Sequence, residues 1–210
     1  MEQTLDLIAL ERRAWRATFD DGLWDMALGL FLLALTAEKT LVHFPVAESV
    51  RMSIFVGLEL AAILVVGAGK RLFTLPRIGH VKFNAKRRAK LGKVEIISAL
   101  AVLLGAALWV GMEKSTGLSI YLQQAMPALW AVAALITFGL SAYLFEYRRL
   151  YFIGVLYAAT VPLLRFLETL YSPVAASLVA FGVPALIILV MGEMAFVRFL
   201  RATPVPEEEA

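Results

Sequence analysis

The sequence predicts an all-α protein, a polytopic bundle of six transmembrane helices. Its 210 residues are 60% apolar, with a mean hydropathy of +0.77, and only 18% are charged. A soluble domain is closer to half apolar and about a quarter charged. The charges lie in short clusters between six apolar stretches that approach the roughly 20 residues needed to cross a bilayer. These stretches are Leu23–Ala37, Met52–Gly69, Val94–Met112, Tyr121–Phe145, Leu150–Leu167 and Val174–Phe199.

The amino-terminal segment, residues 1–22, is predicted to be helical over Thr4–Phe19. Ile8, Trp15 and Phe19 fall on one stripe of that helix, with three arginines nearby. We expect an amphipathic helix along the inner membrane surface, with its aromatic side chains toward lipid and its arginines toward phosphates. The alternative is a cytosolic helix that packs on a partner. The arginines are Arg12, Arg13 and Arg16.

An acidic residue directly follows the first apolar stretch, and another lies inside the second. The first stretch is short and spans a bilayer only if Glu38 lies among the headgroups. Glu59 lies inside the second stretch, about 10 Å from its outer end at a rise of 1.5 Å per residue, and Gly57 and Ala61 beside it permit close helix approach. An acid at that depth is expected to face the protein interior or water. It either pairs with Arg165 of the fifth stretch or serves as a proton or cation site in a transport path.

Residues 70–93, the basic segment, contain nine Lys or Arg and no acidic residue. Thr74–Phe83 includes Pro76 and Gly79 and is predicted to be an ordered turn with extended flanks. Asn84–Lys93 is predicted to be a basic helix. Attraction to anionic headgroups, about 1 kcal/mol per basic residue, is the simpler role; docking of an acidic partner is the alternative, and no nucleic acid is expected. The residues expected to make these contacts are Arg77, Lys82, Lys86, Arg87, Arg88, Lys90 and Lys93, together with Arg12, Arg13 and Arg16.

The last three stretches contain signals for helix pairing and bending. Only Glu146–Arg149 separates the fourth stretch from the fifth, which predicts a tight helical hairpin. Prolines within the stretches each remove a backbone hydrogen bond and are expected to kink their helices. Small residues four apart predict packing seams or a homodimer face. The prolines are Pro127, Pro162 and Pro184, and the small pairs are Ala101/Gly105 and Ala176/Ala180.

Basic residues predict the orientation, because Lys and Arg are retained on the cytoplasmic side. With six helices, sixteen of the 20 Lys and Arg fall on the side that holds both termini. The transmembrane domain is therefore residues 23–201, with both termini cytoplasmic, and residues 202–210 form a disordered acidic tail. The four basic residues on the outer side are Lys39, Arg51, Lys114 and Arg165.

Several acids are expected near the inner membrane surface. Asp25 begins the first stretch, Glu95 begins the third and Glu193 lies near the end of the sixth, with Asp20 and Asp21 close to Asp25. These acids form either an acidic vestibule or a network neutralised by nearby bases, and the neutral network is favoured. The candidate bases are Lys70, Arg71, Lys93, Arg148 and Arg149.

Two segments resemble parts of small uncharacterised bacterial polytopic membrane proteins. They are Phe19–Asp25, which reads FDDGLWD and is followed by Gly29, and Leu75–Phe83, which reads LPRIGHVKF. The resemblance implies a bacterial inner-membrane location and no particular activity. Gly22 and Gly79 suit tight turns at the cytoplasmic surface, so the two segments are expected to pack together there.

Catalytic signatures are missing from the sequence. There is no cysteine, no serine-hydrolase elbow and no zinc-protease motif. The two histidines, His43 and His80, fall on opposite sides of the predicted membrane, so no metal or cofactor site is expected. A non-enzymatic membrane subunit or scaffold is the first functional expectation, with lipid, a complex partner or a second copy as its partner. A small transporter or channel that uses Glu59 is the second, and a membrane enzyme is the third.

Overall fold

The computed structural model describes Trp15, residues 19–78, Gly92 and residues 116–204. Every regular element in this part of the chain is helical and none is a strand, so the all-α prediction is confirmed. Five of the six predicted stretches form helices, whereas the third, 94–112, lies outside the described residues. The helices are α1 (Leu23–Leu41), α2 (Glu48–Ile78), α3 (Thr116–Phe145), α4 (Arg149–Leu167) and α5 (Pro173–Ala202).

Four helices of the described chain are long and apolar enough to cross a membrane: α2, α3 from Gln124 onward, α4 and α5. They indicate a membrane protein. The helix α1 is not among them, because its 19 residues include Asp25, Glu38 and Lys39. It also extends to Leu41, beyond the Ala37 expected from the apolar run.

The predicted turn over Thr74–Phe83 is wrong for its first residues, because α2 stays helical through Ile78. Its backbone widens into a π-helix over Lys70–Thr74, where the N–H of Leu75 reaches five residues back to the carbonyl of Lys70. A proline ring normally clashes with the carbonyl four residues earlier. The wider turn makes room for Pro76, so the helix continues past it.

The same arrangement recurs in α5. Its backbone is π-helical over Leu178–Gly182, and Pro184 follows two residues later. In α3 and α4, Pro127 and Pro162 lie within α-helical backbone instead. A five-residue π segment placed just before a proline is therefore shared by α2 and α5, and insertions of this kind are recognised causes of helix bending.

The chain divides into two compact units, residues 1–84 with 182–210, and residues 85–181. In the first unit, α1 packs against α2 and against the part of α5 that begins at Val183. Glycine permits the second contact, because a Cβ built on Gly192 would lie 2.7 Å from the backbone nitrogen of Met26. Gly22 has a φ of 78°, and a Cβ there would lie 2.3 Å from the Gly192 carbonyl oxygen. Glycine at both positions thus sets the crossing of α1 with α5.

In the second unit, α3 and α4 form the predicted antiparallel hairpin. The indole N–H of Trp130 donates to the Tyr157 carbonyl at 2.8 Å and to the Thr160 hydroxyl at 3.0 Å. The turn is closed by a hydrogen bond from the Tyr147 N–H to the Ala142 carbonyl, 3.0 Å. This is a Schellman-type helix end, in which the residue after the helix adopts a left-handed conformation. That residue is Glu146, with a φ of 58°.

Candidate functional site: the Asp21 cluster

A buried polar cluster joins the residues just before α1 to the far part of α2. The Oδ2 atom of Asp21 accepts hydrogen bonds from Lys70 Nζ at 2.6 Å and from Thr74 Oγ1 at 2.7 Å. Its other oxygen, Oδ1, accepts from the backbone N–H of Leu23 at 3.2 Å. We call Asp21, Lys70 and Thr74 the Asp21 cluster. In the sequence, Lys70 follows Asp21 by 49 residues and Thr74 follows it by 53.

Local backbone geometry brings these side chains together. The left-handed turn at Gly22 ends the chain segment that carries Asp21, and α1 begins at Leu23. On α2, the π-helical segment carries both Lys70 and Thr74, four residues apart. Gly69, just before that segment, lets Leu23 approach, since a Cβ there would lie 2.8 Å from Leu23 Cδ2. The close backbone approach therefore places the carboxylate within reach of two donors.

The cluster lies inside the protein. Asp21 and Asp25 are fully buried, and the Lys70 side chain exposes 18% of its surface. Asp25 also attracts the Lys70 ammonium electrostatically. Charges in a low-dielectric interior interact strongly, and a buried carboxylate is stable only when it is paired and hydrogen-bonded. Asp21 and Lys70 thus form one ion pair between the expected inner acids and bases, while the choice between a neutral network and an acidic vestibule stays a prediction.

Glu193 and Glu95 are also expected near the inner membrane surface. Glu193 is exposed on α5. Glu95 and Lys93 lie outside the described residues. Thr74 was not among the predicted site residues, although its hydroxyl shares Asp21 Oδ2 with Lys70. The signal in the sequence is a hydroxyl residue four positions after a lysine, which is too common to single out.

Glu59 is half-buried on α2, along one edge of the helix face that contacts α1. Within the part of the chain that the structure describes, it makes no hydrogen bond or ion pair. Arg165 forms a 3.5 Å ion pair with Glu168, one turn later on the same helix-to-turn segment. The Glu59–Arg165 pair therefore stays a prediction. Close packing at Gly57 is not found among described residues, because a Cβ built there meets no atom within 4 Å.

An ion pair joins the end of α1 to the start of α2 and is not among the contacts predicted from the sequence. Arg51 Nη1 lies 3.5 Å from Glu38 Oε1, and both side chains are largely buried, with 15% and 29% exposed. Glu38 pairs with the first turn of α2, and its expected position among lipid headgroups stays a prediction. Opposite charges on either side of a short connection were the available signal.

The two aromatic residues described near the amino terminus are buried, which corrects the expectation that they face lipid. Trp15 exposes 1% of its surface and Phe19 exposes 6%, and their rings meet edge to face at 5.5 Å. An amphipathic stripe identifies the apolar face of a helix, but protein can cover that face as readily as lipid can. The rest of the predicted helix, with Arg12, Arg13 and Arg16, lies outside the described residues.

The basic segment begins at Lys70 of the Asp21 cluster, and its first residues, through Ile78, are helical. Arg71 is exposed, next to the buried end of Lys70. Arg77 is half-buried and donates to the Phe73 carbonyl at 2.9 Å. Phe73 in turn packs edge to face on Phe196 of α5, with ring centroids 5.4 Å apart. The remaining predicted contact residues lie outside the described chain; they are Lys82, Lys86, Arg87, Arg88, Lys90 and Lys93.

The Asp21 cluster is a structural contact inside the protein, in which one carboxylate accepts hydrogen bonds from an ammonium, a hydroxyl and a backbone N–H. Within the described residues, no group of three His, Asp or Glu side chains converges as a metal site. Comparison with known proteins adds no assignment: no family model, curated protein or solved structure matches the chain.

Proposed function

We propose that the protein is a six-helix inner-membrane protein with both termini in the cytoplasm. In this proposal it acts as a non-enzymatic subunit or scaffold that binds anionic headgroups, or an acidic partner, through its basic segment. The charge distribution supports the orientation, since sixteen of 20 basic residues fall on one side of a six-helix arrangement. The four apolar helices of the described chain support the membrane location.

The Asp21 cluster is the observation that carries the functional proposal. Asp21 holds Lys70 and Thr74 inside the protein, so the point at which the basic segment begins is fixed. The next residue, Arg71, is exposed. Because Lys70 already has a carboxylate partner, the basic residues after it are the ones that act on external anions. Because one end of the basic segment is already fixed, the segment loses less conformational entropy when those residues bind.

The test measures the lipid that the purified 210-residue protein retains. Replacing Arg87, Arg88 and Lys90 with glutamine removes three charges worth about 1 kcal/mol each at an anionic surface. The relative affinity for phosphatidylglycerol over phosphatidylcholine is therefore expected to fall roughly a hundredfold. High salt should weaken retention by the unmodified protein in the same direction.

A matched control removes three charges from elsewhere on the same predicted side, at Arg148, Arg198 and Arg201. Its lipid selectivity should stay close to that of the unmodified protein. Equal losses in the two triple variants would show a general charge effect and contradict the proposal. If lipid selectivity holds in both but a co-purifying protein is lost only from the first, the acidic-partner form is the correct one.

A small proton- or cation-coupled transporter is the second candidate. It is favoured by a half-buried acid, Glu59, within an apolar helix. Burying an acid in an apolar helix is costly, so an acid at such a position is a candidate functional site. Proton flux into proteoliposomes should then be abolished by Glu59→Gln and kept by Glu193→Gln, which changes an exposed acid. Equal flux in both variants would remove this candidate.

A further inference from the structure

The exposed tyrosines of the α3–α4 hairpin lie in two groups, one at each end. The chain has six tyrosines, and all are in or next to these two helices. Tyr147 and Tyr157 are buried. The other four are exposed: Tyr143 and Tyr151 flank the turn between the helices, Tyr121 lies near the start of α3, and Tyr171 follows the end of α4.

Contacts between α3 and α4 show that Tyr121 and Tyr171 lie at the same level along the hairpin. Trp130 contacts Thr160, and a Cβ on Gly154 would lie 2.5 Å from Phe138 Cβ. Continued at the same antiparallel register, Tyr121 lies opposite the segment that contains Tyr171. The hairpin thus has one pair of exposed tyrosines at its open end (Tyr121, Tyr171) and a second pair at its closed end (Tyr143, Tyr151). We call each pair a tyrosine ring.

The distance between the rings fits a bilayer. Tyr121 and Tyr143 are on one continuous helix and 22 residues apart, which is about 33 Å at 1.5 Å per residue. The hydrocarbon core of a bilayer is about 30 Å thick. The two side chains expose 75% and 73% of their surface, so neither is held by the packing of the hairpin.

The surface between the rings is apolar. Over residues 125–142 of α3 and 152–164 of α4, every exposed side chain is aliphatic or aromatic without a polar atom. Arg148 is exposed beside the closed-end ring. Toward the open end, polar side chains begin before the tyrosines are reached. Gln124 is exposed three residues after Tyr121, and the exposed Arg165–Glu168 pair lies six and three residues before Tyr171, where the long arginine side chain can extend toward the headgroups. Tyrosine is enriched where hydrocarbon meets headgroups, because its ring is apolar and its hydroxyl is polar.

We infer that the α3–α4 hairpin contacts phospholipid over its whole exposed face and is fixed in depth by these two tyrosine rings, one at each hydrocarbon boundary. A bilayer accounts for both the spacing and the sequence of surfaces, since a protein partner does not require polar aromatic tips 33 Å apart on both helices. The inference does not depend on headgroup binding by the basic segment.

Spin labelling tests it, because the full-length chain has no cysteine and single cysteines can be introduced one at a time. Labels at positions 121, 132 and 143 are compared in vesicles of dioleoylphosphatidylcholine, with a label at Arg148 as the aqueous control. Collisions with oxygen, which concentrates in hydrocarbon, and with a water-soluble nickel chelate report depth. The ratio of oxygen to nickel accessibility should peak at position 132 and fall at both 121 and 143.

Equal ratios at 132 and at either tyrosine position would overturn the inference, as would nickel accessibility at 132 equal to that at 148. Low accessibility of position 132 to both reagents would mean that protein covers the face, which also overturns it. Ala133 is exposed as well and gives a second midpoint if the label at Val132 prevents folding. Circular dichroism of each labelled protein verifies that the helices are retained.

Discussion

Breaking the Asp21 cluster is expected to destabilise the protein by about 3 kcal/mol. Removing one partner of a buried ion pair typically costs 3–5 kcal/mol, because the other charge is left uncompensated. The low end applies here, since the Lys70 side chain retains 18% exposure and Asp25 still attracts it. In Asp21→Asn, the negative charge is lost and one of the two oxygens becomes an N–H₂ group, so either the Lys70 and Thr74 donors or the Leu23 N–H loses its acceptor. In Lys70→Met, the carboxylate keeps only Thr74 and the Leu23 N–H.

Thermal unfolding in detergent measures the effect. For a chain of this length, about 3 kcal/mol corresponds to a fall in Tm of roughly 6–12 °C. The double variant Asp21→Asn/Lys70→Met removes both charges. Its loss of unfolding free energy should be smaller, by at least about 1 kcal/mol, than the losses of the two single variants added together. The neighbouring exposed residue supplies a control: Arg71→Met should change stability by less than about 0.5 kcal/mol. Additive single effects would refute the reasoning, because they would mean that the 2.6 Å contact contributes no coupling.

Three further substitutions test the packing by the same melting assay. Gly192→Ala places a Cβ 3.0 Å or less from α1 and should destabilise by about 1–3 kcal/mol, whereas Gly57→Ala, with open space around it, should be neutral or stabilising; similar losses in both would contradict the crossing described above. Glu146→Gly relieves a left-handed residue and should stabilise the hairpin by about 1 kcal/mol, and a decrease in Tm would argue against strain there. Trp130→Phe removes the inter-helix hydrogen bonds and should cost about 1 kcal/mol, an effect that should shrink when Thr160 is already Val.

Hydropathy was sufficient to predict five helices of the described chain to within a few residues at most ends, because an apolar run of bilayer length has few alternatives to a helix. The turn predicted around Pro76 and Gly79 is wrong at Pro76, because the helix continues through this residue. The π-helical segment before it accommodates the ring, and such a segment depends on tertiary contacts around Lys70 and Thr74. Composition does not encode those contacts.

The site was predicted only in outline for a related reason. The sequence shows that acids and bases gather near one surface, but charge alone does not identify which lysine reaches Asp21. That choice depends on Gly69, which lets Leu23 of α1 approach α2, and on the left-handed turn at Gly22 that follows Asp21. Burial of Trp15 was missed because periodicity marks an apolar face without indicating what covers it.

The unbroken length of α2 links the membrane to the basic segment mechanically. Its 31 residues extend about 46 Å at 1.5 Å per residue, roughly 15 Å more than the hydrocarbon thickness. The apolar stretch Met52–Gly69 accounts for about 27 Å of this length, close to the hydrocarbon thickness, so the residues from Lys70 to Ile78 continue beyond it as part of the same helix. Because no loop separates the apolar part of α2 from Arg71 and Arg77, the direction of this helix sets the positions of both arginines as well.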